Sequence, residues 1–174
     1  MLELPELTPE HFEILVTREL RTHRRSMLPE PDRGYLLELK GVLRRSDWQR
    51  RTLIACRRQQ SPIGSVEVES LKEHLQEAEV EAGVLFGAAD FDPIALTAAQ
   101  DSPLALLRVT DGQTAFDTSG WGTQGHYPAW LPAYCAQSVG RDPLGQLRYQ
   151  LLESGQAGAI VERLRTPNKE RRDA

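Results

Sequence analysis

Three short apolar runs most constrain what this chain can fold into: Leu53-Ile54-Ala55-Cys56, Val84-Leu85-Phe86 and residues 104–109. Each has the length of a buried strand, and each is followed or preceded by a stretch with helix signals. After the loop Ser61-Pro62-Ile63-Gly64, the residues Val68, Leu71, Leu75 and Ala78 recur at helical spacing from a start near Ser65. Gly83 reads as the stop of that helix, where a left-handed residue is often needed. Asp92-Pro93 is a cap followed by proline at the first helical position, opening a helix over 94–100. Residues 110–113, Thr-Asp-Gly-Gln, read as a closing turn.

The N-terminal part adds one helix and a hairpin. Thr8-Pro9-Glu10 starts a helix, and Phe12, Leu15, Val16 and Leu20 carry its apolar face to an end near His23. Pro29, Pro31 and Gly34 break the following stretch into a loop. Residues 35–42 have strand character, 44–48 form a turn, and 51–58 return as a second strand. The order α-β-β-α-β-α-β implies an α/β domain with a mixed central β-sheet flanked by helices. A C-terminal extension follows. Its segment TSGWGTQGHYPAWLPAYC is irregular and holds Trp121, Tyr127 and Trp130, with Tyr134 close by. Helices are expected over 128–139, 145–152 and 157–164, with a frayed polar tail. The division expected is 1–116 for the α/β domain and 117–174 for the extension.

With 174 residues, 40% of them apolar, the chain can bury a core. No apolar run reaches bilayer-spanning length and no signal pattern opens the chain, so the expectation is a cytoplasmic protein with no membrane partner. Cys56 and Cys135 fit no metal spacing and are read as reduced and structural. The four histidines, His11, His23, His74 and His126, show no ligand spacing and are read as ordinary surface or interface residues; His74 is placed on an acid-rich helix surface.

The net charge of −4 conceals an asymmetry. Residues 18–58 hold twelve Lys or Arg against five acids, while 67–101 hold nine acids against one Lys. The first block can attract phosphate and the second repels it. The competing reading is internal complementarity between two differently charged faces. No phosphate-binding Gly loop and no serine nucleophile elbow is present, and Cys56 has no base in reach by sequence.

Four segments in order resemble the Mrr-type restriction endonuclease-like family within the PD-(D/E)xK nuclease fold. LTPEHFEILV is similar to that family's first helix, and RTLIACRRQQSPIGSVEVESL to its catalytic strand, loop and following helix. AGVLFGAADFDPIALTAAQ resembles its next strand and helix, and LALLRVTDGQTA its closing strand and turn. The resemblance implies a restriction-endonuclease-like fold over about residues 7–116, and DNA as a partner. It also implies Mg²⁺ held by an Asp on the first hairpin strand and by a Glu or Gln two residues before a Lys on the second. This sequence has Leu36, Ala55 and Arg57 at those three positions. Leu and Ala cannot ligate a metal, and Arg keeps the charge of Lys without its proton chemistry.

Three functional expectations follow. The first is a catalytically degenerate nuclease-fold protein, with no cofactor, acting as a binding or assembly module in a bacterial DNA-related or regulatory complex. Arg57 and Arg58 would bind an anion or nucleic acid, and self-association as a homodimer is one form the assembly could take. The second is an active Mg²⁺-dependent endonuclease whose acids have relocated to Glu13 and Glu38, near Asp32. The third is a pure protein-interaction module. Trp121, Tyr127 and Trp130 are either core aromatics of the extension or a partner surface.

Overall fold

The computed structural model describes residues 7–20, 24–29, 37–45, 47–119, 122–123, 125–152 and 156–164. Thr8 caps the first helix, α1 (Pro9–Glu19), by accepting from the His11 backbone N–H at 3.3 Å. His11 returns the bond through Nδ1, which accepts from the Thr8 N–H at 3.0 Å. Histidine thus fills the place that Glu usually takes in a capping box. The helix ends at Glu19, earlier than its apolar pattern suggested, and β1 (Arg24–Pro29) lies where a loop was expected. RRSMLP offers no alternation to mark it as a strand. It is an edge strand, where basic residues and proline are commonly found.

The hairpin is present as β2 (Leu37–Arg45) and β3 (Trp48–Arg58). Its antiparallel register sets Leu37 opposite Cys56 and Glu38 opposite Ala55. Then follow α2 (Ser65–Glu77), β4 (Ala82–Ala88), α3 (Pro93–Ala99), β5 (Leu104–Asp111) and α4 (Gly112–Ser119). Gly83 lies inside β4 rather than ending α2. A Cβ there would come within 2.6 Å of Leu75 Cδ2, so glycine serves helix-on-strand packing, not a cap. The expected turn over 110–113 is also different. The strand runs on to Asp111, whose carboxylate accepts from the Thr114 N–H at 2.8 Å and so opens α4. Gly112 has no alternative there, because an added Cβ would meet the Pro132 carbonyl oxygen at 1.9 Å.

The extension departs most from expectation. β6 (Tyr134–Arg141) stands where a helix was read over 128–139, and β7 (Leu147–Leu151) where one was read over 145–152. Pairing with β5 decides the first, since Tyr134, Cys135, Ala136 and Gln137 are buried in the ladder. In β7 half-buried Leu147, Tyr149 and Leu151 alternate with exposed Arg148 and Gln150, a two-residue period. The last helix, α5 (Gln156–Arg163), is where the sequence placed it.

Among the described residues, seven strands form one sheet in the order β1-β2-β3-β4-β5-β6-β7. Neighbours β3, β4 and β5 are parallel, and the pairs on either side are antiparallel. The α/β mixed sheet expected from the sequence is therefore correct, and residues of the extension are hydrogen-bonded into it. One face carries Leu39, Ile54, Cys56 and Phe86 against Phe12 and Val16 of α1 and Val161 of α5. The other carries Leu53, Ala55, Leu85 and Leu106 under Val68, Leu71 and Leu75 of α2 and Ala95 of α3. No helix among the described residues is long and apolar enough to cross a membrane.

Candidate functional site

In a sheet with parallel central strands, the carboxyl ends of those strands are where side chains from several elements can meet. Here β3 ends at Arg57-Arg58 and β4 at Ala88. The loops that follow are tied to each other. Ile63 N–H donates to the Asp90 carbonyl at 2.8 Å, and Asp92 N–H donates to the Ile63 carbonyl at 2.9 Å. The rim is thus a braced structure rather than two loose loops.

Strand alternation sorts the candidate residues by face. Ala55 is fully buried in the layer beneath α2, with Leu53 on the same face. Arg57, two residues on, shares that face. Its Nε–H donates to Gln59 Oε1, and its charge acts on Glu67 in the first turn of α2. Burial pushes the Glu67 carboxyl up. The Glu67 and Gly64 backbone amides, the Gln59 amide and Arg57 together outweigh that and hold it below the usual carboxylate range. The Gly64 N–H donates to Glu67 Oε2 at 2.9 Å, closing the helix start. A carboxylate with a depressed folded pKa contributes stability above its unfolded pKa and loses it as pH falls through the folded value. Replacing Glu67 by Gln is therefore expected to cost about 0.5–1 kcal/mol at neutral pH. The difference from the parent should vanish in acid, and urea unfolding at several pH values measures it.

Arg58 points to the opposite face, where its Nη1 donates to the Leu7 carbonyl. Four further arginines of the basic block are also engaged within the chain. Arg18 Nη2 donates to the Tyr134 carbonyl at 2.8 Å, and the buried Arg50 Nη1 donates to the Val161 carbonyl at 2.8 Å. Arg45 pairs with Glu162 and Arg51 with Glu81, each at 3.3 Å. These arginines therefore hold together segments distant in the chain.

Glu38 and His74 form an unexpected pair. The sequence left Glu38 as a metal-site candidate and put His74 on a solvated helix surface, but both are buried. The Glu38 side chain is 2% exposed and that of His74 8%, and Glu38 Oε1 contacts His74 Nε2. Glu38 Oε2 is buried with no hydrogen-bond partner. A signal was available: His74 falls three residues after Leu71 and next to Leu75, on the edge of the apolar stripe. Glu13 is not brought to this pair. It lies on α1, on the other face of the sheet, where its charge and above all burial push the Cys56 thiol up. Cys56 and Cys135 are both buried free thiols. Among the described residues, no three His, Cys, Asp or Glu side chains converge so as to hold a metal ion. Leu36, Asp32 and Trp121 lie outside the described residues.

In the irregular segment before β6, Tyr127 is half-buried, edge-on to Phe116 with ring centroids 5.7 Å apart, and its hydroxyl donates to Asp117 at 2.7 Å. Trp130 differs, with 67% of its surface exposed. Of the two readings of this segment, Tyr127 follows the structural one, and Trp130 presents a surface.

The fold and this rim can be set beside known proteins. No curated protein and no solved structure gives a significant match to the chain. A family model, Mrr_cat, described as restriction endonuclease, matches residues 4–114. That span runs from the start of α1 into α4 and includes the hairpin, the rim and the Glu38–His74 pair. The chain belongs to the Mrr restriction endonuclease family.

Proposed function

We propose that this protein is a catalytically degenerate member of its family, using the nuclease fold as a binding or assembly module in a DNA-related or regulatory complex. The observation that carries this reading is the face of the hairpin at Ala55. A metal nuclease needs at least two acidic ligands there, with room for the waters that Mg²⁺ retains in octahedral coordination. Ala55 supplies a methyl group and is sealed beneath α2. Across the ladder from it stands Glu38, already joined to His74 in a pocket with almost no solvent access. One carboxyl oxygen and an imidazole are a poor donor set for a hard cation, so among the described residues those at the hairpin do not fit Mg²⁺.

Arg57 then retains a positive charge without a metal to assist, and it acts on Glu67 at the head of α2. A binding role rests instead on exposed features such as Trp130. The deciding experiment is incubation with supercoiled plasmid in the presence of Mg²⁺ or Mn²⁺. The expected result is no nicking above an EDTA control. Metal-dependent nicking that disappears in a folded Glu38→Gln variant would instead establish an active enzyme with a relocated acid.

A further inference from the structure

A cleft of about 530 Å³ opens at the carboxyl ends of β3, β4 and β5 and plays no part in the reading above. Arg58, Gln60, Ala88 and Arg108 are among its walls. The guanidinium of Arg108 is fixed in two ways. It lies over the Tyr149 ring, 4.1 Å from the centroid, and its Nη2 pairs with Asp90 at 3.1 Å. Its Nε–H is buried and has no acceptor. A buried donor left unmade costs about 1–3 kcal/mol, and stacking plus an ion pair hold the planar fork in a set orientation. The arrangement is that of a preorganised cation short of one acceptor, bordering an open cleft. Arg58 brings a second guanidinium, tethered to the Leu7 carbonyl, and Gln60 an exposed amide.

The anion that suits this site is compact. The α2 helix beside the rim carries four acids, Glu67, Glu69, Glu73 and Glu77, against the single Lys72. A long polyanion laid over the rim would run its phosphates along that helix and be repelled. A single dianionic phosphate seated in the cleft that Arg58 and Arg108 both line would not. The volume is within the range of pockets that enclose small ligands.

We propose that this cleft binds a phosphomonoester group, on a molecule up to about mononucleotide size, through Arg58 and Arg108. Asp90 is the resident competitor that the phosphate displaces from Arg108. The site stands whether or not the protein cleaves DNA. A terminal 5′-phosphate of a nucleic-acid strand has the same chemistry as a free nucleotide, so the test must separate them.

Titration calorimetry of the full chain with inorganic phosphate, AMP, and a short duplex with and without 5′-phosphates provides that test. Saturable one-site binding of phosphate and AMP is expected. Arg108→Gln should weaken AMP binding by about tenfold or more. Gln60→Glu, an exposed change that leaves the melting temperature unmoved, should weaken it several-fold. Asp90→Asn should strengthen it, an opposite sign that damage to the fold would not produce. A duplex that binds only when 5′-phosphorylated, in competition with AMP, would assign the source as a strand end. The proposal is overturned if neither phosphate nor AMP saturates, or if the three variants bind like the parent. Duplex binding stronger than AMP and indifferent to the 5′-phosphate would also overturn it.

Discussion

Replacing His74 by alanine is expected to destabilise the protein by about 3 kcal/mol or more, because it opens a cavity beneath α2 and leaves a buried carboxyl group without its partner. Glu38 is opposite Ala55 on the face beneath α2, and one of its oxygens already has no partner. Without His74, the other oxygen loses its contact with the imidazole as well, leaving a carboxyl group in a site with 2% exposure. Glu38→Gln should cost less, about 1–3 kcal/mol, because the amide fills the same space and keeps a hydrogen bond to the imidazole. Joint replacement by Leu at 74 and Met at 38 should recover most of the loss, as apolar substitutes for buried ion pairs often do. Urea unfolding of the three variants gives the order. If His74→Ala cost less than about 1 kcal/mol, the pair would not be a fixed part of the core. Glu38 would then be free for another role.

The second large effect is expected at Ala55. Ala55→Glu, which puts an acid where the resemblance implies the family's, places a longer, charged side chain at a fully buried position. It faces Val68 and Leu71 of α2 and lies directly across the ladder from Glu38. Overpacking alone costs about 1–3 kcal/mol, and a second carboxylate beside the first adds desolvation and repulsion. A total loss above about 3 kcal/mol is expected. In a metal nuclease the cation neutralises such a pair. Here Leu36 and Arg57 add no ligand, so Mn²⁺ should not restore the melting temperature of the variant. Recovery with Mn²⁺ would show that the frame still closes around a metal once one acid is returned.

What the sequence made readable follows from where each signal resides. Thr8-Pro9 and Asp92-Pro93 start helices through bonds made within a few residues, so both starts were visible. The apolar runs of β3, β4 and β5 are buried on both faces, and continuous burial needs no partner to be recognised. β6 and β7 were missed because tertiary pairing makes them strands. Tyr-Cys-Ala-Gln-Ser has weak strand preference, and the ladder with β5 supplies what local sequence does not. β1 is edge-placed and basic, with no apolar alternation to display.

The site was legible in part for the same reason. Alternation along a strand puts Ala55 and Arg57 on one face from local backbone geometry alone, and the β2–β3 register adds Glu38 to it. It could not say that Glu13 would lie across the sheet, since that depends on which face α1 covers. Nor could it find Glu38–His74 or Arg108–Tyr149, which join residues 36 and 41 positions apart through the packing of separate elements.

On the function proposed above, the hairpin keeps the nuclease frame without the ligands for its metal. Titration of the purified protein with Mn²⁺, followed by calorimetry and by the melting temperature, tests this most directly. The predicted result is no saturable heat and no rise in melting temperature at millimolar metal, since a ligand that binds the folded state must stabilise it. A saturable site that raises the melting temperature and is lost in a folded Glu38→Gln variant would contradict the claim and place a functional metal at the hairpin.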